Sequence, residues 1–165
     1  MKTSIAQQIT QFPGRARLAR VAARLTTNFS CLALVLLCGC STFNRDWKNA
    51  GQQSAPSLIE GRWDGKWLSD VNGHTGRLRC LLSRETDNRF QARFRATYWK
   101  VFRYSYTVSF QFEERDGAWH FTGEENLGKL AGGVYRYEGH ATPTNFFSTY
   151  RSKYDHGTFQ MRRPE

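Results

Sequence analysis

Strict alternation of apolar and polar residues runs through the second half of this chain. Phe90, Phe94 and Tyr98 share one face of an extended segment whose other face includes Arg93 and Arg95. The next segment repeats the pattern, with an apolar residue at every second position. Because successive side chains of a β-strand point to opposite faces, this period of two predicts strands that each bury one face. This part of the chain shows no 3.6-residue period, so the alternation predicts an all-β domain.

Short turn signals divide the alternating region into strands. Asn72-Gly73 and Asp116-Gly117 are dipeptides typical of tight hairpins, and Pro143 marks a later turn. The predicted strands are residues 61–69, 75–84, 89–100, 102–114, 117–123, 132–141, 145–152 and 156–163. Sequential strands joined by short turns predict an eight-stranded antiparallel up-and-down barrel, which buries its apolar face by closing on itself. A β-sandwich of the same strands is the alternative.

The first predicted strand contains the motif Gly61-Arg62-Trp63. A Gly-x-Trp at this place in an eight-stranded antiparallel barrel resembles the lipocalins and the wider calycin group. The resemblance covers residues 59–165. It implies that Trp63 packs at a closed end of the barrel beneath an arginine of the last strand, which would be Arg162 or Arg163.

Tyrosines are frequent at the predicted inward positions. Small eight-stranded barrels are either filled by their own side chains or leave room for one small ligand. The many large aromatic side chains favour a filled interior, whereas the mixture of rings and hydroxyls suits an amphipathic ligand. Both interpretations stay open on the sequence alone. The candidate ligand-binding residues are Tyr98, Tyr104, Tyr106, Tyr135 and Tyr137.

The N-terminal region carries a basic flank and a short apolar stretch over residues 31–37. This stretch is too short to span a bilayer, but it suits the apolar core of a signal peptide. Leu37, Gly39 and Cys40 resemble a bacterial lipobox, with Leu at minus three and a small residue at minus one. The resemblance implies that residues 1–39 are a signal peptide and that Cys40 receives the lipid. Ser41, rather than Asp, implies an outer-membrane lipoprotein that faces the periplasm.

Removing residues 1–39 changes the charge of the chain. Five of the 24 basic residues and none of the 14 acidic residues precede Cys40, so the net charge falls from +10 to 19 − 14 = +5. An exported, mildly basic protein is not expected to bind nucleic acid. Residues 40–58 are polar and aperiodic, which predicts a lipidated cysteine followed by a flexible tether, with the barrel domain over residues 59–165.

No familiar catalytic or metal-binding motif is present in the sequence. His74, His120, His140 and His156 are scattered among turns and strand ends. Cys80 alternates with leucines and is predicted to be a small inward-facing hydrophobe. We therefore expect no enzymatic activity, no metal and no cofactor.

The outward face of two neighbouring strands is rich in arginine. Such a basic wall could meet anionic headgroups or an acidic partner, or it could be an ordinary solvated face. The sequence thus favours a lipid-anchored envelope protein that binds a small amphipathic ligand or an envelope component. The alternative is a filled barrel that acts as an interaction or structural module through its basic wall. The residues of that wall are Arg77, Arg79, Arg89, Arg93 and Arg95.

Overall fold

The structure, a computed structural model, describes residues 42–55, 57–99 and 101–165. The predicted signal peptide and Cys40 lie outside the described residues. The described part of the chain contains no helix that is both long enough and apolar enough to cross a membrane.

Eight antiparallel strands form a closed barrel in which each strand pairs with its neighbours in sequence and β1 pairs with β8. This closure confirms the predicted up-and-down barrel rather than the sandwich. It leaves neither β1 nor β8 as an unpaired edge. The strands are β1 Gly61–Ser69, β2 Thr75–Arg84, β3 Arg89–Tyr98, β4 Phe102–Arg115, β5 Ala118–Asn126, β6 Val134–Ala141, β7 Asn145–Arg151 and β8 His156–Arg162.

The strand boundaries agree with the alternation to within three residues, and the largest difference is at the end of β5. That strand continues to Asn126 because its polar end pairs with the start of β6, where Asn126 lies opposite Val134. Pairing along the ladder therefore overrides the weak strand propensity of this polar sequence. A short 3₁₀ turn, Lys129–Ala131, lies in the loop between β5 and β6.

One half of the barrel interior is filled by aromatic rings. Phe110 lies at the centre of this cluster and contacts Phe121 at 4.6 Å and Phe146 at 6.5 Å between ring centroids. Buried rings at such distances combine a large apolar area with favourable tilted geometries. The filled half lies toward the end of the barrel formed by the β2–β3, β4–β5 and β6–β7 turns. We call this the closed end.

Residues 42–49 form a helix, α1, where the sequence predicts a flexible tether. Phe43 and Trp47 stand four positions apart, so they lie on one side of the helix, and both are buried. Asp46 of α1 forms an ion pair with Arg93 of the barrel wall at 2.8 Å. The tether prediction fails here because two aromatic residues and one carboxylate suffice to dock a short helix on a basic wall.

Candidate functional site: a tyrosine-lined cavity at the open end

Trp63 closes one end of the barrel. Its ring is fully buried, its indole N–H donates to the carbonyl of Ile59 at 2.9 Å, and the guanidinium of Arg163 lies 3.9 Å from the ring centroid. The same guanidinium donates to the carbonyls of Leu58 and Glu60. Arg162, the other candidate partner, is exposed. A cation over an indole and a set of satisfied carbonyls hold this end shut.

The opposite end of the barrel contains a cavity of about 750 Å³. It lies beside the β1–β2, β3–β4, β5–β6 and β7–β8 turns, and we call this the open end. The interior is therefore divided, with packed rings at the closed end and space at the open end. Described residues that line the cavity are Trp67, Leu78, Ala96, Tyr98, Tyr104, Tyr106, Leu127, Gly128, Lys129, Ala131, Gly132, Tyr135, Tyr137, Tyr150, Asp155 and Phe159.

Strand alternation brings all five candidate tyrosines to this cavity. Tyr104 and Tyr106 are alternate residues of β4 and therefore point to the same face, as Tyr135 and Tyr137 do on β6. Space arises where a small residue faces a large one. Ala96 of β3 lies directly opposite Tyr104 in the register, and both line the cavity, so the small side chain at this position contributes to the open space.

Hydrogen bonds fix part of the cavity wall. The carboxylate of Asp155 accepts from the hydroxyl of Ser69 at 2.6 Å and from the hydroxyl of Tyr150 at 3.2 Å. These two contacts orient the Tyr150 ring before any ligand arrives, which lowers the entropic cost of binding.

The cavity tyrosines are neutral at physiological pH, and burial extends this neutrality to more alkaline pH. Burial raises the pKa of Tyr98 to about 12 and raises the pKa values of Tyr106, Tyr137 and Tyr150 above their ordinary value. A neutral hydroxyl can both donate and accept a hydrogen bond, so the wall can serve either kind of polar group on a ligand.

The loop between β5 and β6 borders the cavity. Gly128, Gly132 and Gly133 adopt positive φ angles of 84°, 98° and 82°, which L side chains rarely tolerate. The loop folds back on itself through a hydrogen bond from the Gly133 N–H to the Gly128 carbonyl. These glycines let the loop place exposed Lys129 beside the opening, where it supplies a positive charge.

The predicted basic wall is largely engaged by α1. Arg79 lies over the Trp47 ring at 5.3 Å, and Arg95 lies over the Phe43 ring at 5.6 Å. Arg95 is buried and donates to Asn44 at 2.6 Å. Arg93 also contacts the helix, through its ion pair with Asp46. The other two members lie apart from it, since Arg77 pairs with Asp64 on β1 and Arg89 is exposed at the start of β3. The wall is thus chiefly a docking surface for the chain's own helix.

Other candidate reactive groups lie away from the cavity. Cys80 is fully buried, and this burial raises the pKa of its thiol. His120 and His140 are cross-strand neighbours whose ring centroids are 6.1 Å apart, but they are not among the cavity residues. Within the described ranges, no group of three or more His, Cys, Asp or Glu side chains is placed to hold a metal ion.

The sequence interpretation missed several cavity residues. Tyr150 follows Phe146 and Ser148 at alternate positions of β7, so the period of two places it inward, and this signal was available. Trp67 and Phe159 face inward by the same rule and are paired in the β1–β8 register. Asp155 carried no comparable signal, because it lies in a turn and reaches the cavity through the Ser69 and Tyr150 contacts.

No protein-family model matches this chain, and no curated protein matches it. Among solved structures, the chain is similar to a de novo designed fluorescence-activating β-barrel. The identity is 16%, the TM-score is 0.47, and the match covers 65% of this chain and 94% of the designed chain. The closed strand register, rather than this likeness, defines the protein as an eight-stranded antiparallel β-barrel with a cavity at its open end.

Proposed function

We propose that this protein is a lipid-anchored envelope protein that binds a small amphipathic ligand in the tyrosine-lined cavity and carries out no chemistry on it. The observation that carries the proposal is the cavity itself, whose walls combine aromatic rings with neutral hydroxyls. Its volume of about 750 Å³ falls within the range of roughly 300–1,000 Å³ that is typical of small-molecule sites.

The cavity chemistry indicates the kind of ligand. Trp67, Leu78 and Phe159 provide apolar surface that favours a hydrocarbon or aromatic body. The hydroxyls of Tyr98 and Tyr104 lie near the opening, where both side chains are partly exposed, and can bond to a polar group. Lys129 beside them favours a neutral or anionic polar group over a cationic one.

The lining gives little support to catalysis. Among its described members, Asp155 is the one carboxylate, and it already accepts hydrogen bonds from Ser69 and Tyr150. A general base or nucleophile needs a poised partner within hydrogen-bond reach of a substrate. A carboxylate that orients a tyrosine of the wall suits a binding role better.

The envelope location rests on the lipobox-like sequence that ends at Cys40. We infer that the lipid attached there holds the protein on the outer membrane, with the barrel in the periplasm. An anionic envelope component that meets the outer wall is the alternative partner. It has less support, because Arg79, Arg93 and Arg95 contact α1.

The proposal predicts that Tyr104→Phe weakens binding of an amphipathic fluorescent probe such as anilinonaphthalene sulfonate. The substitution removes one hydroxyl from the wall and keeps the ring. Loss of one hydrogen bond of about 0.5–1.5 kcal/mol corresponds to roughly two- to tenfold weaker binding. A fluorescence titration of the purified protein measures this change.

Tyr154→Phe is the matched control, because Tyr154 is exposed and does not line the cavity. Its probe affinity should equal that of the parent protein. A second variant, Ala96→Phe, should abolish uptake by filling part of the cavity, provided that circular dichroism shows an intact barrel. Probe binding that is equally strong in the parent, Tyr104→Phe and a folded Ala96→Phe would contradict the cavity as the ligand site.

A further inference from the structure

The turn between β3 and β4 exposes apolar side chains to an unusual degree. Trp99, Val101 and Phe102 are 73%, 70% and 63% exposed. Val71, on the adjacent β1–β2 turn, and Tyr154, on the β7–β8 turn across the barrel mouth, are also well exposed. Several large apolar side chains exposed at one end of a domain are typical of a surface that contacts another apolar phase. We call these five residues the apolar rim of the cavity.

Trp99 adopts a backbone conformation that is unfavourable for a bulky side chain. Its φ is 45°, in the left-handed region where Gly and Asn are tolerated and a bulky side chain is strained. The ring makes edge contacts with His74 and Phe102, at 6.3 and 6.1 Å between centroids, and stays mostly exposed. An exposed tryptophan that costs folding energy points to a role outside the fold.

Basic side chains accompany the apolar rim. Arg103 follows it on β4, Lys129 lies in the β5–β6 loop, and Lys153 lies in the β7–β8 turn. All three are exposed, and in the described part of the chain none forms an ion pair. Two exposed acidic residues lie near them: Asp70 in the β1–β2 turn, and Glu124, which lines a groove with Lys129 and Lys153 and pairs with Arg136. Apolar and aromatic side chains next to unpaired cations match the interface of an anionic bilayer.

The path of α1 brings Cys40, the proposed lipid anchor, toward the open end of the barrel. The helix begins at residue 42 against β3, where Phe43 contacts Arg95, and the chain then runs to Leu58 at the closed end. Cys40 is three positions before Phe43, and three residues of chain can span at most about 10 Å. Arg95 is four positions before Trp99, about 13 Å along the strand. A lipid at Cys40 and the apolar rim can therefore reach one bilayer surface together.

We propose that the open end of the barrel docks on an anionic phospholipid bilayer through the apolar rim, so that the cavity opens onto the membrane surface. Trp99, Val101 and Phe102 enter the interfacial region, and Arg103, Lys129 and Lys153 meet the phosphates. This inference rests on the proposed ligand-binding function and adds the source of the ligand, which is an amphiphile taken from the bilayer rather than from water.

The test uses the protein as the cell processes it, extracted from membranes in mild detergent and reconstituted into vesicles of phosphatidylethanolamine and phosphatidylglycerol with brominated acyl chains. Bromine quenches tryptophans that lie within the bilayer. We expect quenching in the parent protein and loss of most of it in Trp99→Asn, because asparagine suits the left-handed turn and removes the ring. Trp119→Phe, on β5 at the closed end, should leave the amount of fluorescence lost to bromine unchanged.

A second variant keeps Trp99 as the reporter and changes its neighbours. Val101→Asp with Phe102→Ser should lower the quenching several-fold, and high salt or vesicles of phosphatidylcholine should lower it in the parent. Thermal unfolding should show that Trp99→Asn is at least as stable as the parent, which a structural role for the ring would not allow.

The docking proposal is overturned if bromine does not quench the parent, or if Trp99→Asn is quenched equally. It is also overturned if the apolar rim instead joins two copies of the protein, seen as a concentration-dependent dimer that Phe102→Ser abolishes. Uptake of anilinonaphthalene sulfonate from solution is expected to depend on Tyr104 and not on Trp99. Normal uptake with no quenching would therefore reject docking alone, whereas absent uptake would reject the proposed function.

Discussion

Trp63→Ala should lower the free energy of unfolding by about 3–5 kcal/mol. The indole is fully buried and packs on Phe146 with ring centroids 5.7 Å apart. Truncation to alanine would leave a cavity at the closed end of the barrel. It would also leave the Ile59 carbonyl without its indole donor and remove the ring beneath Arg163. Urea unfolding followed by circular dichroism measures the loss.

The exposed Trp99 supplies the control for this experiment. Trp99→Asn removes an indole of the same size that is exposed to solvent, and it should leave the free energy of unfolding unchanged or raise it by up to about 1 kcal/mol. Equal stability of the parent and Trp63→Ala would mean that the closed end does not depend on Trp63. That result would contradict the divided interior described above.

Cys40→Ser should abolish incorporation of labelled palmitate into the protein. A lipobox cysteine receives its lipid through a thioether, and serine has no thiol to form one. The wild-type protein should in addition begin at a lipid-modified Cys40, with the preceding 39 residues removed. Metabolic labelling of growing cells and mass spectrometry of the N-terminal peptide measure both outcomes.

Cys38→Ser is the matched control, because Cys38 lies two positions before the proposed lipidation site. This variant should incorporate palmitate at the wild-type level. Palmitate labelling that survives Cys40→Ser, or that disappears in Cys38→Ser alone, would place the lipid elsewhere and contradict the anchor.

The barrel could be predicted from the sequence because its signal repeats. Most strands show a period of two, and turn dipeptides such as Asn72-Gly73 separate the strands. A single residue that departs from the alternation does not change the predicted fold, because the other strands still fix the register. Closure of β1 on β8 then follows from the need to bury one continuous apolar face.

The division of the interior could not be predicted from alternation. The period of two tells which face a side chain occupies, but not whether facing positions across the barrel leave a gap. Phe110 and Tyr106 occupy the same face of β4, yet Phe110 belongs to the packed cluster and Tyr106 lines the cavity. That difference depends on rings from β5 and β7, which are distant in sequence.

The docking of α1 on the barrel could not be predicted from the sequence for a related reason. Phe43 and Trp47 are two aromatic residues in a polar segment, which is too few to establish a helical period. Their burial depends on arginines of β1, β2 and β3 that lie under the helix. Three arginines of the predicted basic wall, Arg79, Arg93 and Arg95, therefore form part of the surface that binds the helix.

The central claim is that the open end of the barrel holds an amphipathic ligand. A nuclear magnetic resonance titration of the isotope-labelled protein with dodecanoic acid tests it most directly. We predict saturable shifts and contacts from the acyl chain to the rings of Tyr106 and Tyr137, with none to Phe90 at the closed end. Absence of saturable shifts, or contacts confined to the outer surface, would contradict the claim.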